Sequence, residues 1–219
     1  KNIFFFSCAS RLIYSAGGEY EGLESWFNDR FANKKALIFN SGYSANFAFI
    51  SCFGDADTLF LADKLVHASM IDALKSANFK RFKHNDASDL ARLLEQNKDK
   101  YKQIIVLCES LYSMDGDYAP LAEFRKLCDN FKALLYVDEA HSFFALNELG
   151  ECEASGVRAD FMLFTLSKAV GGYGAVLLAD EATRDFLINK ARALIYSTAI
   201  APVNAAWANF VLNTDFSSR

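Results

Sequence analysis

Leu134-Leu135-Tyr136-Val137-Asp138-Glu139-Ala140-His141 joins four apolar residues to an acidic pair and a histidine. An unbroken apolar run closed by an acid reads as a strand buried on both faces, with polar groups at its carboxyl end. Strands of that kind come from α/β domains built on a mostly parallel sheet. Ligands of open α/β sheets bind outside the carboxyl ends of the strands, so Asp138 and His141 stand where chemistry is expected.

Apolar runs at 36–39, 58–62, 104–109, 161–165 and 175–179, together with Phe79-Lys80-Arg81-Phe82, read as further strands. They alternate with helical patterns at 21–32, 43–52, 68–76, 87–97, 121–130 and 181–195. Asp86 offers an N-cap before Leu90, Leu93 and Leu94, and Pro120 opens a helix where its missing N–H is harmless. The charge-rich 95–102 stretch reads as a solvated helix end. The expected architecture is α/β: a mostly parallel mixed sheet with helices on both faces, one domain over 1–219.

At 219 residues, 52% hydrophobic, the chain can bury one large core, and it has only two prolines and no low-complexity tract. A net charge of −4 gives no electrostatic footprint for nucleic acid. Cys8, Cys52, Cys108, Cys128 and Cys152 are an odd, widely spaced set without a Cys-x-x-Cys pair, which favours buried thiols over disulfides or a metal site. No apolar stretch reaches membrane-spanning length, and Phe4-Phe5-Phe6 is too short for a signal-peptide core. A cytoplasmic protein with no membrane association is expected. Lys1 is not an initiator and Asn213–Arg219 closes an apolar helical segment, so the chain reads as part of something longer.

Polar residues gather at the expected strand ends. Asn40-Ser41-Gly42-Tyr43-Ser44 leads from a strand into a helix whose free N–H groups, with the hydroxyls, would suit a phosphate; taken alone, the stretch reads first as an ordinary capped Ser-Gly turn. His67 opens another helix, as a structural imidazole or one that stacks on an aromatic ligand. Ser113, in the polar loop 109–117, could donate to a phenolic oxygen or bond its own backbone. A buried Asp138 needs a cation or strong donors, and a protonated pyridine nitrogen is such a partner. Lys168 ends Thr165-Leu166-Ser167-Lys168, where apolar neighbours would lower its pKa as imine formation requires; an exposed loop lysine is the other reading. Gly171, Gly172 and Gly174 let the backbone pass close to a ligand.

Val-Asp-Glu-Ala-His is also a helicase motif, but that reading needs an upstream Gly-x-x-x-x-Gly-Lys loop. No Gly-Lys pair occurs in the chain. Taken in order, Ser41-Gly42-Tyr43, His67-Ala68-Ser69, Ser113-Met114-Asp115-Gly116-Asp117, Asp138-Glu139-Ala140-His141 and Thr165-Leu166-Ser167-Lys168 resemble the α-oxoamine synthases. These are acyltransferases dependent on pyridoxal 5'-phosphate (PLP).

The resemblance implies the large domain of a PLP-dependent transferase of fold-type I, with a C-terminal small domain outside this chain. It makes Lys168 the residue that bonds the cofactor aldehyde and later moves the substrate α-proton. Asp138 would pair with the pyridine nitrogen, His141 and Ser113 would address the phenolic oxygen, and His67 would stack on the ring. Gly42, Tyr43 and Thr165 would hold the phosphate. A homodimer is implied, with Ser197 and Thr198 near the neighbouring site. The stretches 112–121, His84-Asn85-Asp86 and Ile195-Tyr196-Ser197-Thr198 are most similar to the biotin-pathway member, which joins L-alanine to pimeloyl-CoA or a pimeloyl-carrier protein. Members that join glycine to acetyl or succinyl thioesters share the framework, and a non-catalytic partner subunit of the same fold is the alternative of another class. Departures stand at Tyr20 (histidine in the family), Glu139 (aspartate), Ser142 and Ser167 (both glycine), and in the loop 7–11.

Overall fold

Seven strands form one sheet in the order β1-β7-β6-β5-β4-β2-β3 in the computed structural model, which describes residues 9–12, 18–145 and 147–215. The strands are β1 (Lys35–Phe39), β2 (Thr58–Asp63), β3 (Asn78–Phe82), β4 (Gln103–Glu109), β5 (Leu134–Asp138), β6 (Phe161–Thr165) and β7 (Ala175–Ala179). Pairing is parallel from β3 through β6, whereas β7 runs antiparallel to both β6 and β1. The expected mixed, mostly parallel sheet is what the chain forms.

The helices are α1 (Glu19–Arg30), α2 (Gly42–Phe53), α3 (Ala68–Leu74), α4 (Ala87–Asn97), α5 (Leu121–Phe131), α6 (Glu151–Ala154), α7 (Glu181–Lys190), α8 (Arg192–Ile195) and α9 (Pro202–Leu212). They cover both faces, because strand side chains alternate and the sheet buries two separate cores. Leu135, Val137, Val106 and Phe164 pack with residues of α1, α4, α5 and α9. Tyr136, Ile105, Leu107 and Leu163 pack with residues of α2, α3, α7 and α8. The same alternation decides where the strand ends point. Asp138, Glu109 and Thr165 continue the α2/α3 side, while Asp63 continues the other.

Most expected boundaries shift by a residue or two, within the fraying of element ends. One expectation is wrong: 181–195 is two helices, not one. Ala191, fully buried, takes an extended conformation (φ −72°, ψ 96°) and ends α7, and α8 then turns onto α2. No glycine or proline marks the break, so periodicity alone runs through it. The single turn of α6 had no expected counterpart. Cys108, Cys128 and Cys152 are buried free thiols and Cys52 is half-buried, as the composition suggested. No helix among the described residues is long and apolar enough to cross a membrane. Phe4-Phe5-Phe6, Ser7, Cys8, Gly17 and residues 216–219 lie outside the described residues.

Candidate active site

A cavity of about 220 Å³ opens at the carboxyl ends of β4, β5 and β6, against the start of α2. Its lining includes Lys168, Asp138, His141, His67, Gly42, Tyr43 and Thr165. Of the residues singled out for the site, Ser113 and the glycines Gly171, Gly172 and Gly174 are not part of that lining. That serine is exposed, and the cavity lining does not include it. Parallel strands hold Asp138 level with Glu109 on one side and Leu163 on the other.

Ser41 begins α2: its extended backbone and Oγ, 3.1 Å from the Ser44 N–H, form the N-cap. The next N–H groups of a helix start have no intrahelical acceptor and face the cavity mouth with the positive end of the helix dipole. Across the opening, Thr165 Oγ1 lies 2.8 Å from Ser167 Oγ. The turn after Lys168 closes through Gly171 N–H to the Lys168 carbonyl at 2.9 Å. Gly171 has a left-handed φ of 68° there, a conformation glycine adopts without strain. Trp207 of α9 pins this turn by donating to the Val170 carbonyl at 2.9 Å.

Asp138 is 5% exposed. Burial raises its pKa above the usual carboxylate range; the Asn46 amide, the Ala140 N–H and the Lys168 charge hold the rise in check. Asn46, one turn into α2, was not anticipated from sequence. It donates to Asp138 Oδ2 and to Ser69 Oγ, both at 3.0 Å, and accepts from the Tyr136 hydroxyl at 2.6 Å. Ser69, with its lone pair taken by Asn46, can give its proton to His67 Nδ1, 2.8 Å away. The chain of donors therefore runs from Tyr136 to His67 and leaves His67 the tautomer protonated on Nε2.

Lys168 Nζ contacts His141 Nε2. Burial pulls the lysine pKa down, against the opposing charges of Asp138 and Glu109. Burial and then the Lys168 charge also lower His141, so the pair favours a neutral imidazole accepting from the lysine. Glu109 is the second residue that sequence reading passed over. It lines the cavity at 3% exposure, accepts from the His67 backbone N–H, and is pushed up to about 8 by burial and by the neighbouring Asp138 charge.

The departure at Glu139 is structurally compensated. Its fully buried carboxylate accepts from Ser110 Oγ at 2.7 Å, from Ser142 Oγ, and from the Glu151 and Cys152 N–H groups at 2.9 and 2.8 Å. Gly150 makes room, since a Cβ there would lie 2.9 Å from that carboxyl. Tyr20, also fully buried, donates to the Ile200 carbonyl. Ser197 and Thr198 border a separate small cleft beside Arg11 and Tyr20.

The chain that places Lys168 and the buried Asp138 in one cavity is similar to known proteins. Residues 22–217 match the family Aminotransferase class I and II. A Haemophilus ducreyi protein named 8-amino-7-oxononanoate synthase is 41% identical over 218 residues, covering 95% of this chain and 56% of the relative. The chain thus spans about half the length of the curated relatives it matches. A solved 8-amino-7-oxononanoate synthase from Francisella tularensis superposes with a TM-score of 0.74 at 31% identity, over 95% of this chain and 61% of the other. A variant of serine palmitoyltransferase from S. paucimobilis with bound PLP-myriocin aldimine superposes with a TM-score of 0.87 at 29% identity, over 94% and 55%. The chain belongs to the aminotransferase class I and II family, in the α-oxoamine synthase group that its sequence motifs resemble.

Proposed function

We propose that this chain is the PLP-binding large domain of an acyltransferase that condenses L-alanine with a pimeloyl thioester and releases carbon dioxide, giving 8-amino-7-oxononanoate for biotin synthesis. The observation that carries the reading is Asp138. It is buried, it is hydrogen-bonded by the amide groups of Asn46 and Ala140, and no cation bonds it directly among the described residues. A protonated pyridine nitrogen would supply that cation, and the cavity between Asp138 and Lys168 has the room for the ring.

When bound, PLP supplies an aldehyde for amines and a ring that accepts electrons from the substrate Cα. The protein's residues then have distinct tasks. Asp138 keeps the ring nitrogen protonated, and Asn46 keeps the carboxylate aimed. Lys168 Nζ, with its lowered pKa, would hold the cofactor aldehyde and would be the base for the alanine α-proton. His141, in contact with that amine, would orient it and address the phenolic oxygen. The His67 imidazole would stack on the ring. The N–H groups of Gly42 and Tyr43, with Thr165 Oγ1, receive the phosphate. Ser113 joins the phenolic oxygen only if its loop folds inward from the exposed position it holds here. Ser197 and Thr198 face a second copy in a homodimer.

The test is direct. Full-length protein with PLP should show a visible absorption band that Lys168→Ala abolishes. It should also release coenzyme A or carrier protein with alanine and a pimeloyl thioester. Turnover with glycine and an acetyl or succinyl thioester instead would move the assignment within the family. No band with added PLP would refute the cofactor reading.

A further inference from the structure

His84-Asn85-Asp86 takes no part in the site described above, yet it builds a charged cluster on the other face of the sheet. β2 ends at Asp63 on the α4/α5 side. There His84 Nδ1 lies 2.8 Å from Asp63 Oδ1, and Nε2 lies 2.8 Å from Asp117 Oδ2. Asn85, in a left-handed conformation at φ 52°, gives its backbone N–H to Asp63 Oδ2 at 2.8 Å. Its side-chain amide donates to Asp117 Oδ2 at 2.9 Å and to the Tyr118 carbonyl at 3.1 Å. The Tyr112 ring stands edge-on to the imidazole at 4.5 Å.

A neutral imidazole has one N–H and one lone pair, and an ionised carboxylate only accepts. Two carboxylate oxygens facing two ring nitrogens therefore require two N–H groups. We propose that His84 is held as an imidazolium and acts as a positioning residue, clasping the loop 110–119 to the end of β2. With both nitrogens donating, the ring has no lone pair for a metal ion, so nearby Asp115 completes no cation site.

The clasp joins two segments that each adjoin a residue lining the cavity, Glu109 before the loop and His67 after β2. The loop leaves β4 at Glu109, carries Ser113, and closes through Tyr112 N–H to the Asp117 carbonyl at 3.0 Å and Ala119 N–H to the Ser110 carbonyl at 3.0 Å. Asp63 Oδ1 also accepts the Leu65 N–H at 2.8 Å, at the start of the segment that presents His67. The importance of these segments for catalysis rests on the proposed function; the clasp itself does not.

The groups facing His84 are mostly acidic: Asp63 from β2, and Asp115 and Asp117 from the loop. Lys64 follows Asp63, Lys83 and Asp86 flank the turn, Asp89 of α4 accepts the Lys83 N–H, and Cys108 of β4 stays neutral through burial. Burial works against the charged ring, but the bonds and charges of Asp63 and Asp117 outweigh it, so the pKa lies above the ordinary 6.5. A raised histidine pKa gives a stabilisation fully present below the unfolded value and lost as pH rises through the folded one. The loop is thus clasped below that raised pKa and loosens as His84 deprotonates.

The experiment uses the whole protein without PLP, with nitrogen NMR of the imidazole and hydrogen exchange at the Tyr112, Gly116 and Ala119 amides. Both ring nitrogens should carry protons at pH 7, and the ring should titrate above 6.5. In His84→Gln, exchange at those amides should quicken by about tenfold or more, the equivalent of one charge-assisted hydrogen bond. The variant should also lose the wild type's additional loosening at high pH. Asp117→Asn should lower the His84 pKa and loosen the same amides, which keeps the test open should the first variant misfold. A singly protonated ring at pH 7, or unchanged loop exchange in the folded variants, overturns the proposal. Failure of the wild type to bind PLP would instead sink the reading of the cavity and leave the clasp standing.

Discussion

Asn46 Nδ2 lies 3.0 Å from Asp138 Oδ2, across 92 positions of sequence, and the same amide nitrogen also reaches Ser69. One side chain on α2 thus fixes both the acid on the cavity floor and, through Ser69, the imidazole at its side. A hydrogen bond to a charged group contributes about 1.5–3 kcal/mol. Asn46→Ala should therefore weaken PLP binding by roughly ten- to a hundredfold, measured by titration of the visible band. An unchanged affinity would show that Asp138 needs no such support.

Asp138→Asn should leave PLP bound while slowing exchange of the alanine α-proton with solvent by roughly a thousandfold or more, because a neutral pyridine accepts electrons poorly. The new amide also faces the Asn46 amide donor, so some stability is lost. Exchange is read by NMR per bound cofactor, which separates the two effects. Near-normal exchange would refute the role given to Asp138.

Glu109 gives a pH signature in the cofactor-free protein. Its folded pKa is raised from 4.5 to about 8, chiefly by burial. The folded state therefore holds a proton that the unfolded chain releases, and stability from this group falls as pH climbs between those values. Glu109→Gln should flatten that decline, as followed by denaturant midpoints from pH 4 to 9. An unaltered pH dependence would contradict the buried, protonated carboxyl.

Glu139→Gln keeps the shape of the side chain but turns an N–H₂ towards either the Cys152 N–H or the group of donors from Ser110, Ser142 and Glu151. Leaving such buried donors unsatisfied costs about 1–3 kcal/mol. The melting temperature should fall accordingly, while Ser142→Gly, which still leaves three donors, should have a smaller effect. Equal losses in both variants would mean that the carboxylate is not what holds α6 to the Asp138–His141 turn.

Most of the sheet was legible because its strands are apolar runs leading into polar residues, as Val137-Asp138 and Phe164-Thr165 show, the edge strand β3 with Lys80 and Arg81 being the exception. Lys168, Asp138, His141 and His67 were legible for the related reason that reactive groups stand at those ends. Asn46 was not, since an amide inside an apolar helix has no periodic signature and its partners are distant in sequence. The break at Ala191 escaped because no residue there opposes helix; packing of α8 on α2 makes the turn. Glu139, Ser142 and Ser110 looked like unrelated departures, and only their contact shows them to be one buried cluster. Ser113 was placed by motif, but its loop sets it in solvent.

The central claim is that Lys168 holds the cofactor aldehyde across the cavity from Asp138. Borohydride reduction of the PLP-loaded protein, followed by peptide mass mapping, reads the bonded lysine directly. The pyridoxyl mass should appear on Lys168 alone, at a stoichiometry near one per chain. A tag on another lysine, or none in protein that retains PLP, would contradict it.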